Sequence, residues 1–134
     1  MIFVDSSAFV AAFSATDANH PAARTTFARL SRARDQLLTT NLVVVETASL
    51  LQRRLGFEAA ARFVGVFLKP IATHVVGSAL FDVAIDEWTK AKRRRLSLVD
   101  CTSFAFMRQG RIERAFAFDR EFSAAGFTIV NVVT

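Results

Sequence analysis

Apolar residues fall in short blocks along the chain, and three blocks run straight into an aspartate: MIFVD at residues 1–5, LSLVD at 96–100 and AFAFD at 115–119. Such blocks, too short for buried helices, read as strands or as apolar helix starts. The first predicts a buried strand ending at Val4, followed by a short helix over Ser6 to Ser14. Asp17 to Asn19 supply helix-start residues before Pro21 and the amphipathic segment Ala22 to Ala33. In LLTTNLVVVETASLLQRR the two periods conflict. The β-branched run Val43 to Val45 favours a strand, whereas Asn41 as a cap and Leu42, Val45, Ser49 and Leu50 at three- and four-residue steps favour a helix.

Beyond Gly56 the pattern is clearer. FEAAARFVGVFL predicts a helix stopped by Pro70, and IATHVV a strand bounded by Gly77. SALFDVAIDEWTKAKRRR predicts a helix capped by Ser78, with acids early and bases late as the macrodipole prefers. Asp100 is expected to open the next helix, ended by Gly110. RAFAF and FTIVNVV are the last strands, with a helical turn or two at REFSAAG between them. Strands separated by helices imply an α/β fold: a parallel sheet with helices on both faces.

With 134 residues, 52% of them hydrophobic, two prolines and five glycines, a single domain over 1–134 is expected, with no disordered tract, repeat or linker. No apolar run approaches the ~20 residues of a membrane span and no signal peptide precedes the first strand, so a cytoplasmic location is expected. The lone Cys101 suits a reducing compartment. Net charge is +5, and from Trp88 to Arg120 nine bases stand against three acids, which suits a polyanionic partner. The densest part, Lys92, Arg93, Arg94 and Arg95, is either a solvated helix end or a phosphate-contacting surface.

In open parallel sheets, ligands bind in the crevice beyond the carboxyl ends of the strands, and the expected strand ends place Asp5 and Asp119 there. Asp100 at a helix start and Glu46 within an apolar run have no obvious basic neighbour on their own local faces. Taken one at a time, each has a plain structural role as turn, cap or exposed helix residue. Gathered in one apolar crevice they would repel one another unless a cation were present. An oxygen-only set suits Mg²⁺ or Mn²⁺, ions that activate water and steady phosphoryl oxygens during in-line displacement. His20, His74 and Cys101 have no zinc-site spacing, and Cys101 has no histidine placed as a nucleophile's partner. The fourteen phenylalanines, with no tyrosine, read as core or dimer-interface material.

FVDSSAF, VVVETASLL, LSLVDCTSF and FAFDREF, with successive acids separated by 41, 54 and 19 positions, resemble the PIN domain, most closely the VapC-like toxins, over essentially the whole chain. The resemblance implies a three-layer α/β/α sandwich and a helical LVVVE segment. It implies a Mg²⁺- or Mn²⁺-dependent endoribonuclease, the toxin of a type II toxin–antitoxin pair. Asp5, Glu46, Asp100 and Asp119 match the catalytic and metal-binding acids, and Ser7 a small hydroxyl residue that arranges the site. The partners implied are RNA, a small cognate antitoxin and a second copy in a homodimer. Two other readings stand beside it: a catalytically silent module of the same fold that binds RNA or antitoxin, and an aspartate-based phosphatase or phosphoacceptor domain. The latter wants a second acid beside Asp5, where this chain has Ser6 and Ser7.

Overall fold

The computed structural model describes residues 1–132. The chain runs β1 (Ile2–Val4), α1 (Ser6–Phe13), α2 (His20–Arg32), β2 (Leu37–Thr40), α3 (Asn41–Leu55), α4 (Phe57–Arg62), which continues into a π-helical turn (Phe63–Phe67), β3 (Ala72–His74), α5 (Ser78–Ala91), α6 (Leu98–Gln109), β4 (Arg114–Phe116), α7 (Arg120–Ala124) and β5 (Thr128–Ile129). All pairings are parallel, in the order β3-β2-β1-β4-β5. The central strand β1 is wholly buried, as an all-apolar strand covered on both faces must be.

Two aromatic clusters cover the two faces. Side chains alternate along a strand, so Phe3 shares a face with its register partner Ala115, while Val4 and Phe116 point the other way. Phe116 meets Phe27 of α2 with ring centroids 4.6 Å apart. Phe9 of α1 and Phe63 and Phe67 of the π-helical turn extend that cluster, Phe9 and Phe63 lying 4.9 Å apart edge to face. On the opposite face Phe3 packs on Phe106 of α6 and Phe122 of α7. This is the expected α/β/α sandwich, and none of the rings in these two clusters is highly exposed.

The order of strands fixes where chemistry can occur. From β1 the chain moves outward through β2 to β3, then crosses back to β4 on the other side of β1. The β1 and β4 loops therefore leave toward helices on opposite faces, the arrangement that in such sheets opens a crevice beyond the strand ends, and Asp5 and Asp119 lie in those two loops.

The ambiguous segment contains both elements: Leu37–Thr40 is strand and Asn41–Leu55 helix, so Val43 to Val45 are helical, as the resemblance implies. Several other local expectations are corrected. Thr40, rather than Asn41, caps α3, accepting from Val43 N at 3.3 Å; the Asn41 carboxamide instead accepts from Val76 N at 2.9 Å. Gly77, not Ser78, sits at the cap of α5. That helix ends at Ala91, because Lys92 turns into the left-handed region with φ 51°, so Lys92–Arg95 form a connection instead of a helix end. Ser97 caps α6, and Asp100 is the third residue of a reciprocal capping box rather than the opener. The final strand covers only Thr128–Ile129 of the expected 127–133, and Val133 lies outside the described residues.

Candidate active site

Each acid is placed by a local backbone rule. Asp5 caps α1: its Oδ2 accepts from Ser7 N at 3.1 Å and from Ser7 Oγ at 2.6 Å. Asp119 caps α7, accepting from Glu121 N at 2.9 Å. Asp100 accepts from Ser97 N at 3.1 Å while Ser97 Oγ accepts from Asp100 N at 2.9 Å. Glu46 lies one turn and a half into α3, where its Oε1 accepts from Ser6 Oγ at 2.5 Å. Asp5 and Asp119 therefore do act as caps, as expected of single aspartates, and each of the four acids keeps one carboxylate oxygen outside these local bonds.

The acids are electrostatically joined. Asp5 is buried and its carboxyl is pushed up to about 6, chiefly by loss of hydration; the Ser7 hydrogen bonds oppose this and the Glu46 charge adds to it. Asp100, also buried, is pushed up to about 7 by desolvation, with the Asp119 and Asp5 charges adding and the Ser97 bonds opposing. No basic side chain is among the groups that shift either one. Asp5 thus feels Glu46, and Asp100 feels both Asp5 and Asp119, so the charges of the four acids reach one another in sequence.

An all-carboxylate, hydroxyl-rimmed set with uncompensated charge suits a hard divalent cation. Among the described residues no three His, Cys, Asp or Glu side chains stand in a ready-made metal cage. Mg²⁺ needs none, since it keeps several waters and binds through one or two carboxylates together with substrate phosphate.

Ser7 ties the two loops of the crevice together. Its Oγ donates to Asp5 and accepts from Phe118 N at 2.9 Å, so the end of β1 is fixed to the segment that carries Asp119. Two contributors carry almost no signal in the sequence. Ser6 holds Glu46, and the only hint is a second serine after Asp5. Asn131 brackets Ala117, accepting from its N at 3.2 Å and donating to its O at 2.6 Å, which steadies the approach to Asp119; nothing in the local pattern marks it.

The basic run is not uniform. Arg93 forms an ion pair with Glu121 at 2.5 Å, linking the α5–α6 connection to the start of α7. Lys92, Arg94 and Arg95 are exposed and have no ion pair among the described residues. Cys101 is buried, and burial raises its thiol above the usual range, contrary to what a nucleophile needs. His20 turns Nδ1 to Ala11 O at 2.7 Å, and His74 packs on Phe106, so the two histidines serve separate local roles. No helix of the described residues is long and apolar enough to cross a membrane.

Comparison with known proteins covers the same length of chain. The sequence is 39% identical over 132 residues to the 23S rRNA-specific endonuclease VapC20 of two Mycobacterium tuberculosis strains, with 98% of each chain aligned. The crystal structure of M. tuberculosis VapC20, described as a Sarcin-Ricin loop cleaving toxin, superposes with a TM-score of 0.87 at 37% identity, covering 98% of this chain and 100% of that one. FitAcB from Neisseria gonorrhoeae, 11% identical with 96% of each chain covered and a TM-score of 0.66, shares the fold. With the PIN domain description matching residues 2–128 as well, the chain belongs to the PIN domain family.

Proposed function

We propose that this chain is a divalent-metal-dependent endoribonuclease, the toxin of a toxin–antitoxin pair, and that Asp5, Glu46, Asp100 and Asp119 are its catalytic, metal-holding acids. The observation that carries the reading is the pair of buried carboxyls, Asp5 and Asp100, both raised and both uncompensated, at the crevice where the strand order reverses. PIN-domain nucleases use divalent ions, and the hard oxygen set favours Mg²⁺ or Mn²⁺. The similarity to a 23S rRNA-specific endonuclease makes structured ribosomal RNA the first substrate to examine.

When bound, the ion supplies Lewis-acid stabilisation of the phosphoryl oxygens and lowers the pKa of water. The protein's own part is positional. Ser7 holds Asp5 against the Phe118 amide, Ser6 holds Glu46, and the α6 capping box holds Asp100, so the carboxylates are aimed before substrate arrives. Lys92, Arg94 and Arg95 offer charge to the RNA backbone, while Arg93 keeps their connection docked on Glu121. A small antitoxin that covers the crevice, a homodimer formed through exposed apolar side chains such as Val45, Val75, Val83 and Trp88, and a cytoplasmic place of action complete the reading.

Purified protein is expected to cleave RNA with Mg²⁺ or Mn²⁺ and to stop in chelator; Asp5→Asn is expected to remain folded and inert. Full cleavage in chelator would overturn the assignment. Binding of RNA by a protein that cuts none, under any divalent ion, would favour a silent module instead.

A further inference from the structure

Beside the acids lies a pocket of about 340 Å³ lined by Ser6, Ser7, Val10, Asp17, Asn19, Leu50, Arg54, Phe118 and Asp119. Ser6, Ser7 and Asp119 belong to the acid site, so the pocket opens directly from it. Arg54 is its single cation. Glu46, Leu50 and Arg54 follow at four-residue steps along α3, which stacks them on one helix face with Arg54 about 12 Å beyond Glu46.

We infer that this pocket seats the nucleotide flanking the cleaved bond, with Arg54 holding its phosphate. The inference rests on the endoribonuclease reading and extends it to residues that reading does not use. Three properties of the lining support it. The guanidinium is exposed and has no ion pair among the described residues, so it is available to an anion. Of the two carboxylates in the lining, Asp17 accepts from Asn19 N at 2.8 Å and Asp119 from Glu121 N at 2.9 Å, and neither pairs with Arg54. Val10, Leu50 and the half-buried ring of Phe118 give an apolar wall for a base, and the Asn19 carboxamide, which makes no capping bond, is free to meet its polar edge. The volume sits at the lower end for small-ligand clefts, enough for one unstacked nucleotide and too small for a duplex.

The alternative is that Arg54 merely complements the carboxyl end of α3. Arg53 stands in the same last turn but does not line the pocket, which makes it an internal control. The test measures binding of a fluorescein-labelled single-stranded octaribonucleotide by anisotropy across a KCl series, with Ca²⁺ present, alongside metal-activated cleavage of the same RNA. Losing one charged phosphate contact predicts ~10-fold weaker binding for Arg54→Ala, with the slope of log affinity against log salt smaller by about 0.7. Arg54→Gln, which keeps a polar side chain but removes the charge, should lose as much; Arg54→Lys should regain most of the slope; Arg53→Ala should stay within about twofold of wild type. Unchanged melting temperatures are expected throughout. Equal losses in Arg53→Ala and Arg54→Ala, or no loss in either, would overturn the subsite while the wild type still cleaves RNA. A wild-type chain that neither binds nor cuts RNA would overturn the nuclease reading and the subsite together.

Discussion

The aromatic cluster between β4, α1, α2 and the π-helical turn and the acid crevice at the strand ends are built from the same kind of chain and do opposite work. In the first, Phe9, Phe27, Phe63, Phe67 and Phe116 remove apolar surface from water and add favourable edge-to-face contacts. In the second, Asp5 and Asp100 are buried without a basic partner and held above their ordinary ionisation range. One region stabilises the native state; the other costs stability and is kept in place by caps and hydroxyls whose positions the core determines. The difference says where each kind of mutation should register.

The sharpest contrast comes from truncating the core. Phe63 is wholly buried, and Phe63→Ala should cost about 3–5 kcal/mol of stability while leaving cleavage per folded molecule close to wild type; chemical denaturation together with active-site titration checks both halves. Asp100→Asn should do the reverse. Cleavage should fall by roughly 10²–10³-fold or more, while the metal-free protein melts at a higher temperature near neutral pH, because an uncompensated charge is gone and the amide oxygen can still accept from Ser97.

A smaller and graded effect follows from pH. The folded state holds protons on Asp5 and Asp100 up to about 6 and 7, whereas the unfolded chain releases them near 3.8, so between those values the native state binds more protons. Metal-free stability contributed by these groups is therefore full below about pH 4, falls as pH rises through 6 to 7 and levels off above, each tenfold difference in proton affinity being worth about 1.4 kcal/mol. Melting curves in chelator should show that decline, and Mn²⁺ should reverse it above pH 7. In Asp5→Asn the decline should be shallower. Ser7→Ala should have the mildest outcome: about 1 kcal/mol of stability and roughly 10-fold in activity, since it frees Asp5 from the Phe118 amide without removing a carboxylate.

What the sequence disclosed and what it hid divide along physical lines. Apolar blocks ending in aspartate reported real strand ends and helix starts, because the step from a buried strand to a capped helix is a local event written in adjacent residues. At Leu37–Thr40 and Val43–Val45 the local signal was divided: the strand is the less β-branched part, and three valines lie in a helix that Thr40 caps, as the resemblance implied. Asn41, Ser78 and Asp100 were each misplaced by one to three residues at helix starts, where several polar residues compete for one cap. Lys92 could not be seen to break its helix, since a left-handed lysine leaves no compositional mark. Ser6 and Asn131 were hidden for another reason: their partners, Glu46 and Ala117, are brought to them only by the fold.

The central claim is that the site formed by Asp5, Glu46, Asp100 and Asp119 binds a divalent cation, and proton counting tests it most directly. Mn²⁺ binding by calorimetry at pH 6, repeated in buffers of different ionisation enthalpy, should show about one to two protons released per ion. Asp5 is about half protonated there and Asp100 largely so, and both must give up their protons to become ligands. In Asp100→Asn both the binding heat and the proton release should diminish. Binding that releases no protons, or that is indifferent to Asp100→Asn, would contradict the account.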